Sequence, residues 1–525
     1  MVGCPTSDRV DPTLSDAALI AELKQQNHVL SEQVAELTRR IDWFQRQLFG
    51  RKSEQRLEFD PEVQQDLLSG LGVPAAALPP LPVPTETVTY QRRKLRDNSV
   101  NEVGLRFADH VPVYEIQLDD PALAGLPAGG WTVVAQKVTF KLAQRPASYV
   151  VLKYVRPVYK LDDGKLVTAP APPAVLDKCS ADVSLLAGML VDKFVYYLPL
   201  YRQHQRLKAA GFELSRTSLT NWTTRAIDLL EPIFQAMAAN VLKSRVIAMD
   251  ETPIKAGRVT QGKMREAYLW PIYGEADEIV FHYAPSRNHE HVERLLGKGF
   301  AGTLLTDGYA AYDAYARNNR AMTQAQCWAH LRRYFVDAKD ADPKAIDEAL
   351  AIIGGLYHHE QVIRDRNLEG EAKLKYRTEH TEPIVKAFWR WCDAQCHRSD
   401  LTPRHPLTLA LNYARERVAG LQVFLSDPDV PIDTNHLERA LRPIPMGRKN
   451  WLFCWTELGA RQVGIIQSLL STCRLHGVDP YRYLVDVLQR ISIHPAKDVI
   501  ELTPRVWKTK FADSAFVSHI HFVGQ

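Results

Sequence analysis

Three short stretches constrain this chain more than any other feature: VIAMDETPIK, TLLTDGYAAY and DTNHLERALRP, which carry Asp250, Asp307 and Glu438. Each of the first two sets a carboxylate directly after an apolar run that reads as a buried strand, where an uncompensated charge is costly. The third sets a glutamate on a short helix. Two strand-end aspartates and a helical glutamate make a hard-oxygen donor set suited to Mg²⁺ or Mn²⁺ and to phosphoryl transfer. The aspartates stand 57 positions apart (307 − 250), so a sheet has to bring them together.

The flanking sequence supplies such a sheet. RVIAMDETPIK, AYLWPIYG and EIVFHYAP are successive strand candidates, HEHVERLLGKGF is an amphipathic helix, and GTLLTDGYAAY is a fourth strand returning beside the first. That order is the beginning of a ribonuclease-H-like sheet. Between CWAHLRRYFVDAKD and DTNHLERALRP about 85 residues, 341–425, have mainly helical pattern; an insertion of this kind leaves a sheet intact because lengthening a loop costs little further entropy. It holds Cys392, Cys396 and His397, but a second ligand pair is not evident, and core cysteines in a Trp-rich helix are the better reading than zinc. On the Glu438 helix, Asn435, Glu438 and Arg442 share one face; the plain alternative is a surface Glu438–Arg442 ion pair. GRKNWLF follows at once, so Arg442, Arg448 and Lys449 are candidates for contacts to a polyanionic backbone.

A chain of 525 residues is expected to form roughly three to four domains. Residues 15–50 carry a heptad seam, with Leu23, Leu30, Leu37 and Phe44 on one row and Ile20, Asn27, Val34, Ile41 and Leu48 on the other. This predicts a coiled coil, and Asn27 at a core position favours a parallel homodimer; a helix packed on its own chain is the alternative. Residues 51–87 include five prolines between Pro74 and Pro84 and read as a stiff linker, followed by the basic cluster Arg92, Arg93, Lys94 and Arg96. Period-two alternation in WTVVAQKVTFKL and YVVLKYVRPVYKL predicts a small antiparallel β domain over 88–176.

Over 177–242 the run LYRQHQRLKAAGFELSRTSLTNWTTRAIDLL reads as two helices around a tight turn closed by Gly211 and capped by Ser215 or Thr217. The second helix would present Arg216, Thr220, Asn221 and Arg225, as in a DNA-reading helix-turn-helix, although any helical hairpin gives a similar pattern. The sheet then occupies 243–340 and, after the insertion, 426–475, with closing helices and a tail over 476–525. The expected fold class is multidomain α+β: N-terminal coiled coil, small β domain, helix-turn-helix-like helical domain and ribonuclease-H-like core with a helical insertion. Charge is nearly balanced, 65 Lys plus Arg against 61 Asp plus Glu, and so neither demands nor excludes nucleic acid. Seven scattered cysteines and no apolar run of about 18–20 residues predict an intracellular protein that crosses no membrane.

These motifs together carry a resemblance. LFGRKSE after the zipper-like segment, YYLPLYRQHQRLKAAGFELSRTSLTNW, MDET, TDGYAAY, CWAHLRRYF, NHLERALRPIPMGRKNWLF and GVDPYRYL stand in the order found in DDE transposases of the IS66 family of insertion sequences, which the chain resembles over nearly its whole length. The resemblance implies that Asp250, Asp307 and Glu438 are a catalytic triad and that the helical block is the family's insertion domain. It also implies double-stranded DNA partners (terminal inverted repeats and target), a site in the bacterial cytoplasm, and, since the family often carries small companion reading frames, accessory proteins encoded by the element as candidate partners. Two Mg²⁺ ions about 3.5–4 Å apart would serve end cleavage and then attack of the freed 3′-hydroxyl on target DNA. In one respect the chain departs: relatives carry cysteine pairs of zinc-finger spacing before the helix-turn-helix, whereas 88–176 contains no cysteine, so zinc is not expected there and the β domain is expected to rely on its own apolar core. Two alternatives remain at this level, a ribonuclease-H-like endonuclease or resolvase without strand transfer and a catalytically idle DNA-binding regulator. A metabolic α/β enzyme is disfavoured because no GxGxxG or GxxxxGK[ST] occurs at a strand-helix junction.

Overall fold

The computed structural model describes Gln25, exposed and helical, and then residues 105–523 apart from 119, 121–130, 146–147, 173, 261–262 and 451–455. The seam residues Leu23, Asn27, Leu30, Val34, Leu37, Ile41 and Phe44, the proline-rich stretch and the basic cluster at 92–96 lie outside the described residues. Residues 91–525 form one compact unit, a mixed α/β body with two mixed sheets.

The first sheet contains β1 (Val113–Gln117), β2 (Trp131–Arg145), β3 (Ser148–Leu161) and β4 (Leu166–Thr168). β2 and β4 pair with β3 antiparallel, but β1 runs parallel to it, a direction that alternation in the sequence does not encode. The sheet also lacks the private core expected of it. Leu142 and Val151 belong to the main core, while Ala143, Val150, Leu152 and Tyr154 form a small cluster closed by Ile520 from the far end of the chain. Four strands offer too little apolar area to make two layers alone, so helices and the tail complete them. The tail is pinned where Tyr154 Oη meets His519 Nδ1 at 2.9 Å.

Three helices follow. In α1 (Val183–Phe194) the Asp182 carboxylate caps the first turn. α2 (Leu200–Ala209) ends just before Gly211, whose φ of +93° favours glycine and whose added Cβ would lie 2.8 Å from the His110 ring. Ser215 Oγ then accepts from Ser218 N at 3.0 Å and starts α3 (Arg216–Val241). The expected helical hairpin is therefore present, but its second helix runs 26 residues and buries Ile227, Leu230, Phe234 and Met237 in the core.

The second sheet is built from β5 (Val246–Met249), β6 (Thr252–Thr260), β7 (Lys263–Gly274), β8 (Glu278–Ala284), β9 (Thr303–Thr306) and β10 (Thr323–Gln326). Across it the order is β10-β9-β5-β7-β8, with β6 continuing β5 along the same side of β7. β10, β9 and β5 are parallel and β7 is antiparallel to β5. The single strand expected over RVIAMDETPIK is two, broken at Asp250 and Glu251. Pro271 of β7 lies opposite the break and has no N–H to donate, leaving one ladder bond, Asp250 N to Pro271 O at 3.4 Å.

α4 (Glu290–Leu296) and α5 (Ala310–Asn318) flank β9, and α6 (Trp328–Asp337) follows β10. The inserted block contains α7 (Pro343–Asp365), α8 (Gly370–Tyr376), a π-helical turn Arg377–Thr381, α9 (Glu382–Cys396), α10 (Pro406–Arg415) and α11 (Val418–Ser426). Its Cys392, Cys396 and His397 do not converge: Cys392 is buried, Cys396 is exposed, and the His397 ring bonds to the Asp393 carbonyl. α12 (Asn435–Leu441) and α13 (Pro443–Gly447) bring the chain back to the sheet. α14 (Glu457–Leu475) lies along β8, and α15 (Pro480–Arg490) packs on α1. Among the described residues no helix is long and apolar enough to cross a membrane.

The α14–β8 contact is close. Ser468 Oγ and Thr472 Oγ1 accept from the outward amides of Phe281 and Ile279 at 2.8 and 3.2 Å, and a Cβ on Gly464 would stand 2.4 Å from the Phe281 carbonyl oxygen. Because that neighbour is backbone, Gly464→Ala is expected to cost about 1–3 kcal/mol, measured as a lower urea midpoint with unchanged m-value.

Candidate active site

Asp250 follows β5 and Asp307 follows β9, and the pairs Ile247↔Leu304 and Ala248↔Leu305 set these strands side by side in parallel. The same register carried forward puts Asp250 beside Asp307. Both strands are wholly buried, so the two carboxylates emerge together at the carboxyl ends of a packed sheet. Carboxylate oxygens of Asp250, Glu251 and Asp307 lie within 4.8 Å of one another, the one such cluster among the described residues. Consecutive side chains of a regular strand point to opposite faces; the break at Pro271 is what lets Asp250 and Glu251 share one.

Each acid is held differently. Asp250 Oδ1 accepts from Glu251 N at 2.7 Å, and Asp307 Oδ1 accepts from Tyr309 N at 2.9 Å, a tight turn that leads into α5. The Glu251 carboxylate is 2 % exposed: Tyr312 Oη donates to Oε2 at 2.7 Å and Arg287 Nε to Oε1 at 2.7 Å, with the Arg287 guanidinium over the Tyr309 ring. Glu438 enters from α12. Its Oε1 is 3.6 Å from His330 Nε2 and 3.8 Å from Arg333 Nη2, and this oxygen is sealed from solvent without a hydrogen-bond partner. These are its ion pairs among the described residues, not the Glu438–Arg442 pair.

Asp250, Glu251, Asp307, His330, Arg333, Glu438 and Arg442 all line one open cleft of about 810 Å³. Crowding shows in the protonation equilibria. Burial, and next the Glu251 carboxylate, push Asp250 up to about 7, with Asp307 and Glu438 adding to the effect. Burial also raises Glu251, opposed by its bonds from Tyr312 and Arg287, and lowers His330. The arrangement therefore concentrates negative charge that a divalent cation would neutralise.

Of the other residues singled out from the sequence, Arg442 is exposed on the cleft wall, whereas Asn435 turns its amide to Asp433. Arg448 Nη1 donates to the Pro253 carbonyl at 2.9 Å, and Lys449 is exposed. Arg216, Thr220, Asn221 and Arg225 are all exposed along α3, away from the carboxylates in sequence and element; Arg225 donates to the Asp177 carbonyl and Arg216 lies over the Tyr201 ring. Sequence reasoning passed over Glu251, Arg287, His330 and Arg333. His330 and Arg333 had a readable signal, since CWAHLRRYF sets them one helical turn apart directly after a short strand.

Comparison with known proteins shows the family. Residues 178–462 match the Transposase IS66 family, residues 468–505 the IS66 C-terminal element, and residues 36–116 a region described as Transposase C of IS166 homeodomain. Three similar proteins of Sinorhizobium fredii (strain NBRC 101917 / NGR234) are named only as uncharacterized. They are y4jD, 29% identical over 492 residues (90% of this chain and 94% of the relative); y4hP, 28% over 521 (92% and 91%); and y4qI, 28% over 519 (94% and 92%). With the family's match spanning more than half of its length and taking in all three acids, the chain belongs to the IS66 family of transposases.

Proposed function

We propose that this protein cleaves DNA at insertion-sequence ends and joins the freed 3′-hydroxyls to target DNA, using Asp250, Asp307 and Glu438 to hold two divalent ions. The observation that carries the reading is that Asp250 and Asp307, paired at the ends of two adjacent parallel strands, and Glu438, on a helix that returns after an insertion, all line one open cleft, although Glu438 stands outside the 4.8 Å cluster of Asp250, Glu251 and Asp307. The strand order β8-β7-β5-β9-β10 with β7 and β8 antiparallel supports a ribonuclease-H-like core. The donor set suits Mg²⁺ or Mn²⁺: the oxygens are hard, Asp250 and Asp307 lie close together with Glu251 beside them, and Glu438 Oε1 on the same cleft is a buried acceptor left without a donor. Bound there, the ions would supply Lewis-acid stabilisation of phosphate charge and a more acidic attacking hydroxyl.

The chain's own groups account for the rest. Arg287, Arg333 and Arg442 line the cleft and are placed to hold phosphate oxygens against the carboxylates. The exposed α3 face serves to grip DNA away from the cut, and Arg448 and Lys449 extend the basic surface beside the cleft. Pairing of two copies through the heptad seam would hold two ends at once, with accessory proteins of the element assisting. A pre-cleaved end incubated with target plasmid and Mg²⁺ tests the reading: joined product is expected, and hydrolysis of intact ends without joining would favour the endonuclease or resolvase. Arg216→Ala is expected to weaken end binding by about 1–3 kcal/mol in an anisotropy titration; native affinity would remove α3 from the interface.

A further inference from the structure

The segment that leads from the insertion to Glu438, Phe424 to Thr434, is tied to both aspartate-bearing strands and to the insertion itself. From inside, Arg377 of the π-helical turn is 0 % exposed, and its Nε and Nη2 bond both oxygens of Glu360 at 2.8 and 2.9 Å. Its remaining nitrogen, Nη1, donates to three carbonyls of the segment: Phe424 at 2.5 Å, Asp427 at 3.1 Å and Val430 at 3.3 Å. The first of these belongs to the last turn of α11, where carbonyls lack helical partners. From outside, Arg245, the residue before β5, donates to the carboxylates of Asp427 and Asp429. Further along, Thr434 N and Oγ1 both donate to Cys327 Sγ at 3.3 Å, and Cys327 N in turn donates to the carbonyl of Thr306, the residue before Asp307. Glu438 N then bonds Thr434 O at 2.9 Å and opens α12.

We propose that Arg377 and Arg245 are positioning residues that clamp this segment, so that the helical insertion sets where Glu438 stands against Asp250 and Asp307. The inference rests on reading those three acids as one metal cage, but its own content is mechanical. Glu360 engages two of the three guanidinium nitrogens, and the acceptors for the third all come from the strap, so this one side chain joins the insertion to the segment that leads to Glu438. The two clamps meet at Asp427, where Arg377 holds the carbonyl and Arg245 the carboxylate. Loosening either gives Glu438 freedom while leaving Asp250 and Asp307 fixed by the sheet.

The test compares the native chain with Arg377→Met, Arg377→Lys and Arg245→Gln, each shown to be folded by circular dichroism. Mn²⁺ is titrated calorimetrically without DNA, with Asp250→Asn defining the signal that belongs to the cage. Arg377→Met is expected to bind Mn²⁺ roughly 10- to 100-fold more weakly, as when an outer-shell partner of a metal site is lost. Arg377→Lys should fall between it and the native chain. Arg245→Gln removes a half-exposed guanidinium, leaves Asp427 an amide to accept from in its place, and should show a smaller loss in the same direction. Amide hydrogen exchange should quicken over 431–441 in all three and stay unchanged over 268–284. Folded variants with native Mn²⁺ affinity and native exchange over 431–441 overturn the proposal. Should Arg377→Met fail to fold, the lysine and Arg245 variants decide. A native chain with no Mn²⁺ signal sensitive to Asp250→Asn would bring down the cage reading alone, because the exchange arm still judges the clamp.

Discussion

With an insertion-sequence end as substrate and Mg²⁺ present, Glu438→Gln is expected to cut on the order of a thousandfold more slowly than the native chain while binding that DNA equally well. The change keeps the size of the side chain and its place on α12, and removes one negative charge from a cleft where Asp250, Glu251 and Asp307 already crowd within 4.8 Å. An amide oxygen is a poor substitute for a carboxylate toward a divalent ion, so the loss should fall on turnover and on the Mg²⁺ needed for half-maximal rate. His330 and Arg333 lose an anionic neighbour at 3.6 and 3.8 Å, but both line the cleft wall and remain available to phosphate. Cleavage at the native rate by the glutamine variant would remove Glu438 from the site.

Asp250→Asn should also abolish cleavage, yet it should make the metal-free protein more stable. The carboxyl of Asp250 is pushed up to about 7 by burial and by the Glu251 carboxylate beside it, whereas in an unfolded chain it ionises near 3.9. The folded state therefore holds a proton that the unfolded state has released, and stability falls as pH rises from about 4 to about 7. Asparagine removes this penalty. The variant's advantage in thermal midpoint should be absent below pH 4, grow to pH 7 and level off, reaching on the order of 1–3 kcal/mol. Mg²⁺ should reverse the ranking by stabilising the native chain and not the variant. A flat difference across pH would mean that neither burial nor the neighbouring carboxylates raise the Asp250 carboxyl in solution.

What could be read from the sequence follows from where the physics is local. VIAM is a continuous apolar run and TLLT a leucine pair between β-favouring threonines, because their strands are covered on both faces, and that located Asp250 and Asp307 at strand ends. The helical turn at Gly211 and Ser215 was legible because a positive φ and a cap demand particular residue types. β10 was not, since TQAQ has no apolar run; it is a strand because β9 offers it a parallel edge. Glu251 was missed for a related reason: strict alternation turns it away from Asp250, and only a proline on a neighbouring strand, 20 residues on (271 − 251), breaks that alternation. The direction of β1 and the sharing of its sheet's core with Ile520 depend on contacts across the whole body, which periodicity cannot carry.

The hydroxyls of α14 that receive the amides of β8 bear on how copies of this protein keep apart. A border strand with bare amides recruits strands from other molecules. Ser468 and Thr472 consume those amides, and the glycine contact beside them leaves no slot for a foreign backbone. On that border the sheet is finished, so a second molecule has no strand to add there while α14 is in place, and a transient loss of α14 would reopen the edge.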